Sequence, residues 1–142
     1  MFEVWWKITE EMTDMKKLLT IFLLSFSING YCEWFKVVES DNSTVYVEDS
    51  KISKSDKFIR IWTLHNLSNP RKLNSGKSYR SYITLTEVDC LEDKSRDLST
   101  TVYQNIMGNG DVVITFEENS KLKFSPPGSV GDLLIKFSCG FK

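Results

Sequence analysis

The segment Glu87-Val88-Asp89-Cys90-Leu91-Glu92-Asp93-Lys94-Ser95-Arg96-Asp97 holds five carboxylates, the nearest thing in the chain to a catalytic grouping. Two carboxyls can share acid–base work when one is buried, because burial lifts its pKa until it holds a proton near neutrality. Here Lys94 and Arg96 are interspersed with the acids beside a turn, so the expectation is a solvated hairpin end. His65 is the chain's one histidine, which excludes a multi-His metal site. It has no recognisable triad companion, and no GxSxG elbow occurs. A Cys/Cys/His site through His65 would lack CxxC spacing and a fourth ligand. Asp41, Glu48 and Asp49 do not form the DxDxDG pattern of a calcium loop. No catalytic residue, metal ligand or cofactor is therefore expected, and the chain reads as a non-enzyme.

Charge narrows the partners. The sequence carries 18 Lys+Arg against 19 Asp+Glu, whereas phosphate binding needs a surplus of cations on one face. Nucleic acid is excluded as a partner on that ground. At 142 residues, 41% hydrophobic and 13% aromatic, the chain has the composition of one globular domain.

The first thirty residues read as targeting rather than fold. Met15-Lys16-Lys17 precedes the apolar run Leu18–Phe26 and the more polar Ser27-Ile28-Asn29-Gly30, the outline of a secretory signal peptide. The run is too short for a membrane span, which takes about 20 residues. Residues 1–14 are acidic and ill-placed ahead of a cationic start, so translation is expected to begin at Met15. Cleavage is expected between Gly30 and Tyr31, and Tyr31 before Cys32 argues against a lipoprotein signal. Residues 1–30 hold three lysines and four acidic residues, so the remaining domain, residues 31–142, is neutral. Export places it in an oxidising compartment, the periplasm or the outer-membrane surface.

Within 31–142, short β-type runs follow one another across turn residues. Glu33–Glu39, Thr44–Glu48, Lys57–His65, Tyr79–Val88, Arg96–Met107 and Val112–Glu117 are rich in β-branched and aromatic residues. Asn66–Gly76 is rich in breakers, and Gly108-Asn109-Gly110-Asp111 tolerates the positive φ of a hairpin turn. Adjacent runs joined by short turns pair antiparallel. After Pro126-Pro127-Gly128 the period changes. Ser129 suits an N-cap, Asp132 favours the positive end of the helix dipole, and Val130, Leu133, Leu134, Phe137 and Phe141 form an apolar stripe. The expected fold is α+β: an antiparallel β-sheet of about six strands with a C-terminal α-helix packed on it. Cys139 falls opposite Val130 on a helix, so the helix is expected to loosen near Ser138 or to lie between two covered faces.

Three cysteines allow one bridge. Cys90–Cys139 would clamp helix to sheet and contribute roughly 4 kcal/mol through loop-closure entropy; Cys32–Cys90 and Cys32–Cys139 are the other pairings. Trp34, Tyr46, Phe58, Trp62, Tyr79, Tyr82 and Tyr103 lie in the strand runs, either as cross-strand packing or as a one-sided binding surface. Phe58, Trp62 and Leu64 alternate with Ile59 and Ile61, which suggests a sheet covered on both faces, by the helix and by a second subunit. Asn42-Ser43-Thr44 and Asn66-Leu67-Ser68 match glycosylation sequons, a pattern common by chance.

Taken together, EW with an alternating strand, TVYV-D-S-I, I-R-I-W-T-L, Gly76–Cys90 (GKSYRSYITLTEVDC), Met107–Val113 (MGNGDVV) and Pro126–Cys139 (PPGSVGDLLIKFSC) resemble the bacterial surface-adhesin protein E-like family. The likeness spans residues 33–139, and Glu87–Cys90 with the terminal PPGSVG…C is its most specific part. It implies the same sheet and helix, tied by a disulfide whose positions correspond to Cys90 and Cys139. It also implies an exported envelope protein that binds a protein partner, host extracellular-matrix or serum proteins. The alternative is a periplasmic structural or accessory protein without a host ligand. Cys32 has no counterpart, and pairing two subunits into a homodimer is a use open to it. The contact residues are not indicated by the sequence.

Overall fold

The computed structural model describes residues 33–118 and 120–140. The expected signal peptide, its cleavage at Gly30–Tyr31, and Cys32 lie outside them. Six strands run in sequence order as one antiparallel meander: β1 (Trp34–Glu39), β2 (Ser43–Lys54), β3 (Phe58–Lys72), β4 (Ser78–Asp89), β5 (Lys94–Tyr103) and β6 (Val112–Glu117). A two-residue β7 (Lys123–Phe124) pairs with the start of β5, at Lys94 and Ser95. Among the described residues one α-helix, α1 (Val130–Gly140), follows the strands.

Local chemistry explains the turns. The Ser40 hydroxyl and amide both bond the Ser43 carbonyl, at 3.0 and 2.9 Å, closing β1 onto β2. Ser55 does the same with Phe58 between β2 and β3. At the end of β4, Asp89 Oδ1 accepts the amides of Leu91 and Glu92. Asp93 then takes positive φ, which Asp tolerates better than most residues.

Two strands differ from expectation. β3 continues through Asn66–Lys72 because the breakers are absorbed in an irregularity: pairing with β4 skips from Asn66↔Ser81 to Arg71↔Tyr79. Pro70 falls in that gap, where the missing N–H interrupts no ladder bond. β5 ends at Tyr103, and residues 104–111 form a wider connection with a short 3₁₀ turn, Ile106–Gly108. Asn66 Oδ1 accepts the Met107 amide at 2.7 Å, and the Ser81 hydroxyl accepts that of Gly108 at 3.0 Å. Gly108 is required there: its φ is +66°, and a Cβ would sit 2.8 Å from Ile83 Cδ1.

Cross-strand register sorts the side chains, since directly opposed residues point to the same face. One face carries the rows Val45, His65, Tyr82, Val102 and Val47, Thr63, Thr84, Thr100, then Ile61, Thr86, Asp97. α1 lies on this face. Its Leu134 joins Val45, Val47 and Ile61 in the core, with Val130 and Phe137 packed alongside; burying each such side chain contributes about 1.5–3 kcal/mol. The opposite face carries Leu64 and Ile83, covered by the 104–110 connection of the same chain.

The helix starts as expected. The Asp132 amide bonds Ser129 Oγ at 3.3 Å, and the Asp132 carboxylate accepts the Gly128 amide at 2.8 Å. It does not loosen near Ser138 but runs to Gly140. Its buried face is Leu134, Ile135 and Ser138, while Leu133 is exposed. The stripe is thus rotated from the expected one, because Cys139 must reach the sheet. At ~100° per residue the buried residues bring Cys139 to the edge of the covered side and turn Leu133 outward. Cys139 is bridged to Cys90, with Cα atoms 5.7 Å apart across 49 positions.

Candidate functional site

The carboxylate cluster is not a solvated hairpin end. Glu87 is 1% exposed and Asp89 0%, because β4 is an interior strand and both acids lie between β3 and β5. Register places Arg60 and Arg96 on either side of Glu87. Arg60 Nε donates to Oε2 at 2.9 Å, and Arg96 Nε and Nη2 donate to Oε1 at 3.0 and 2.6 Å. Burial raises the Glu87 pKa, but the two guanidiniums outweigh it and hold the carboxyl below its ordinary range. Asp89 follows the same logic: burial raises it, and the Lys57 ammonium at 3.3 Å with the Leu91 and Glu92 amides brings it down overall. Both acids are ionised at neutral pH, Glu87 with both oxygens bonded by guanidinium and Asp89 with Oδ2 facing only the Lys57 ammonium, an arrangement that fixes strands and leaves no proton to donate. Of the cluster, Glu92 and Asp93 are exposed, and Asp97 stands apart on the helix-bearing face.

That face holds the second grouping. His65 stacks on Tyr82, ring centroids 4.5 Å apart and planes 10° from parallel. Burial drops the His65 pKa to about 4, so the imidazole is neutral at pH 7. Beside it, Thr84 and Thr100 hydroxyls lie 3.0 Å apart, and Thr86 Oγ1 donates to Asp97 Oδ1 at 2.8 Å. Between this polar floor and the apolar wall of Val130, Leu134 and Ile135 lies a cavity of about 250 Å³. Sequence reasoning passed over the threonines. Their signal was present in the alternation Thr84-Leu85-Thr86, which puts two hydroxyls where a helix-covered strand ordinarily carries aliphatic side chains.

The third feature is an edge. Among the described residues β6 pairs only with β5, and Val112, Ile114 and Phe116 are 54, 44 and 41% exposed. Ile114 and Phe116, opposite Val102 and Thr100, lie on one side of the strand, whereas Val112, opposite Tyr103, stands across the irregularity. The other edge, β1, is broken by a bulge between Lys36 and Val38 and carries the Lys36–Glu39 ion pair, two devices that discourage strand addition. β6 has no charge from Val112 to Phe116, and its irregularity opposite Val102–Tyr103 leaves Ile114–Glu117 in regular register. The aromatics do not form a single surface: Tyr82 faces α1, whereas Trp62 and Leu85 lie opposite one another on the other face. Asn66, in the second sequon, is committed to holding Met107. Among the described residues, no three His, Cys, Asp or Glu side chains converge as metal ligands would. Nor is any described helix long and apolar enough to cross a membrane.

A family model for surface-adhesin protein E matches residues 34–140. Comparison with curated protein sequences gives no match. Two solved structures of Haemophilus influenzae protein E share the fold. One aligns with a TM-score of 0.55 at 14% identity, covering 75% of this chain and 83% of that one. The second crystal form gives 0.58 at 13% identity, covering 75% and 86%.

Proposed function

The chain belongs to the surface-adhesin protein E family, and on that premise we propose that it is an exported bacterial envelope protein, with host extracellular-matrix or serum proteins as its partners. Its export signal lies within residues 1–30, cleaved between Gly30 and Tyr31, and residues 31–142 form the working domain. The activity is binding, without a catalytic step.

The observation that carries the contact surface is β6. Among the described residues its outer main-chain groups face no further strand, so an extended segment of a partner can add to the sheet there. Main-chain hydrogen bonds would then provide affinity, and the pair Ile114 and Phe116 selectivity. Neutrality fits this mode: with 18 cations against 19 anions, long-range charge steering contributes little to partner choice.

Two measurements test the reading. Ile114→Lys places a charge on the edge without touching the core. It is expected to abolish capture of matrix or serum proteins by the immobilised protein while leaving its thermal midpoint within a few degrees. Undiminished capture by Ile114→Lys overturns the edge assignment. Labelling of intact cells with an impermeant reagent is expected to mark the protein; a strictly periplasmic pool would instead select the accessory-protein alternative.

A further inference from the structure

We propose that the cavity between α1 and the sheet is a binding site for a single uncharged sugar ring, either a free monosaccharide or the terminal residue of a glycan. It is separate from the β6 edge and does not depend on it.

Size limits the ligand first. About 250 Å³ falls just below the ~300–1,000 Å³ of ordinary small-molecule pockets. It is the space of about eight waters at ~30 Å³ each, enough for one substituted six-membered ring and too little for two. Charge limits it next. Among the described residues, no Lys or Arg lines the cavity, and its one acidic side chain is Asp97. Phosphates, carboxylates and acidic sugars would meet an unpaired negative charge, with His65 neutral at pH 7.

The lining then selects among neutral molecules. The floor presents Thr63, Thr86, Ser95 and the Tyr82 ring, and Ser125 closes one side. The helix wall, Val130, Leu134 and Ile135, is aliphatic. A pyranose has the matching two-sidedness, a rim of hydroxyls around C–H faces. A hydrocarbon would cut off from water the polar atoms the floor does not pair internally, Asp97 Oδ2 and the hydroxyls of Ser95 and Ser125, a loss that burial does not repay. The floor is also set before any ligand arrives. Thr84 and Thr100 hold each other, and Thr86 is fixed on Asp97 Oδ1, which leaves the second carboxylate oxygen free to accept sugar hydroxyls. These groups stand on strands, which position side chains better than loops do. Gly131 lines the cavity beside Ser125, and a Cβ there would collide with Ser125 Oγ and displace that hydroxyl. Threonines at 63, 84 and 86 are not needed to hold the helix, since valine would fill the same positions without a hydroxyl to satisfy.

The chain's one histidine is the reporter. In the untagged full chain its imidazole C–H protons give a single pair of resonances, read by proton NMR during titration. The probes are D-glucose, D-galactose and N-acetylglucosamine up to about 50 mM, since one ring with few hydrogen bonds binds in the millimolar range. At least one sugar is expected to shift the His65 signals saturably, and sodium acetate and inorganic phosphate are expected not to. Asp97→Asn should weaken the sugar about tenfold. Ser95→Leu, which fills the cavity from an edge position, should abolish the response while the far-UV spectrum stays native. For a sugar that binds, competition by a desialylated serum glycopeptide or by a peptidoglycan disaccharide tells host from envelope origin. Silence of His65 toward all three sugars overturns the proposal. So do equal shifts with acetate or phosphate, or binding undiminished in both variants.

Discussion

Consider the folded protein moved from pH 7 to pH 5. His65 has an ordinary pKa of 6.5, and burial, with its ring stacked on Tyr82, lowers it to about 4. Between those values the unfolded chain takes up a proton on this imidazole and the folded chain does not. The unfolded state therefore binds more protons, and stability falls as pH drops. The contribution is complete above pH 6.5, declines through the window, and is exhausted below about pH 4. At about 1.4 kcal/mol per pKa unit the whole effect is about 3 kcal/mol, of which about 2 kcal/mol is lost by pH 5. The buried carboxylates do not blur this window. Glu87 and Asp89 have lowered folded values, so their contributions are present above their ordinary values of 4.5 and 3.8 and are lost only in more acid solution. The assay is urea unfolding at both pH values with the disulfide intact, on the native chain and on His65→Phe, which keeps a ring against Tyr82. The native chain should lose about 2 kcal/mol and the variant a few tenths. Equal native stability at pH 7 and pH 5 would refute the reasoning, as would a variant that keeps the full slope.

Other outcomes follow from the same contacts. Cys139→Ser opens a loop spanning 49 positions and should lower unfolding free energy by about 4 kcal/mol, read from the urea midpoint. Glu87→Leu leaves Arg60 and Arg96 facing each other across β4 and should cost about 3 kcal/mol, the low end for breaking a buried pair because both guanidiniums reach solvent. Adding Arg60→Met and Arg96→Met to it should recover most of that loss, again by urea unfolding. Ser129→Ala removes the hydroxyl that accepts the Asp132 amide and should cost about 1 kcal/mol, seen as a lower thermal midpoint.

The meander and the helix could be read from the chain because local chemistry sets them. Ser40, Ser55 and Asp89 close turns within three residues of themselves, and Ser129 starts the helix by the same kind of short bond. What stayed hidden depends on partners far apart in sequence. Glu87 looks solvated until Arg60, 27 positions away, is laid beside it. The breaker-rich 66–72 becomes strand because Asn66 and Ser81 anchor the connection that crosses over them. The facing direction of α1 is decided by Cys139 against its own apolar period, and the cavity by threonines on β3 and β4 that share no local motif.

The bridge has a mechanical consequence. Tension entering at residue 33 and leaving at residue 140 passes from Cys90 to Cys139 through the sulfur atoms, so β5, β6, β7 and α1 form a slack loop that carries none of it. Only residues 33–89 can be drawn out, on the order of 200 Å of chain at about 3.4 Å per residue; reduction of the disulfide would nearly double that length in single-molecule stretching. Under tension applied at those two ends, β1 to β4 peel while β5, β6 and the helix stay folded behind the bridge.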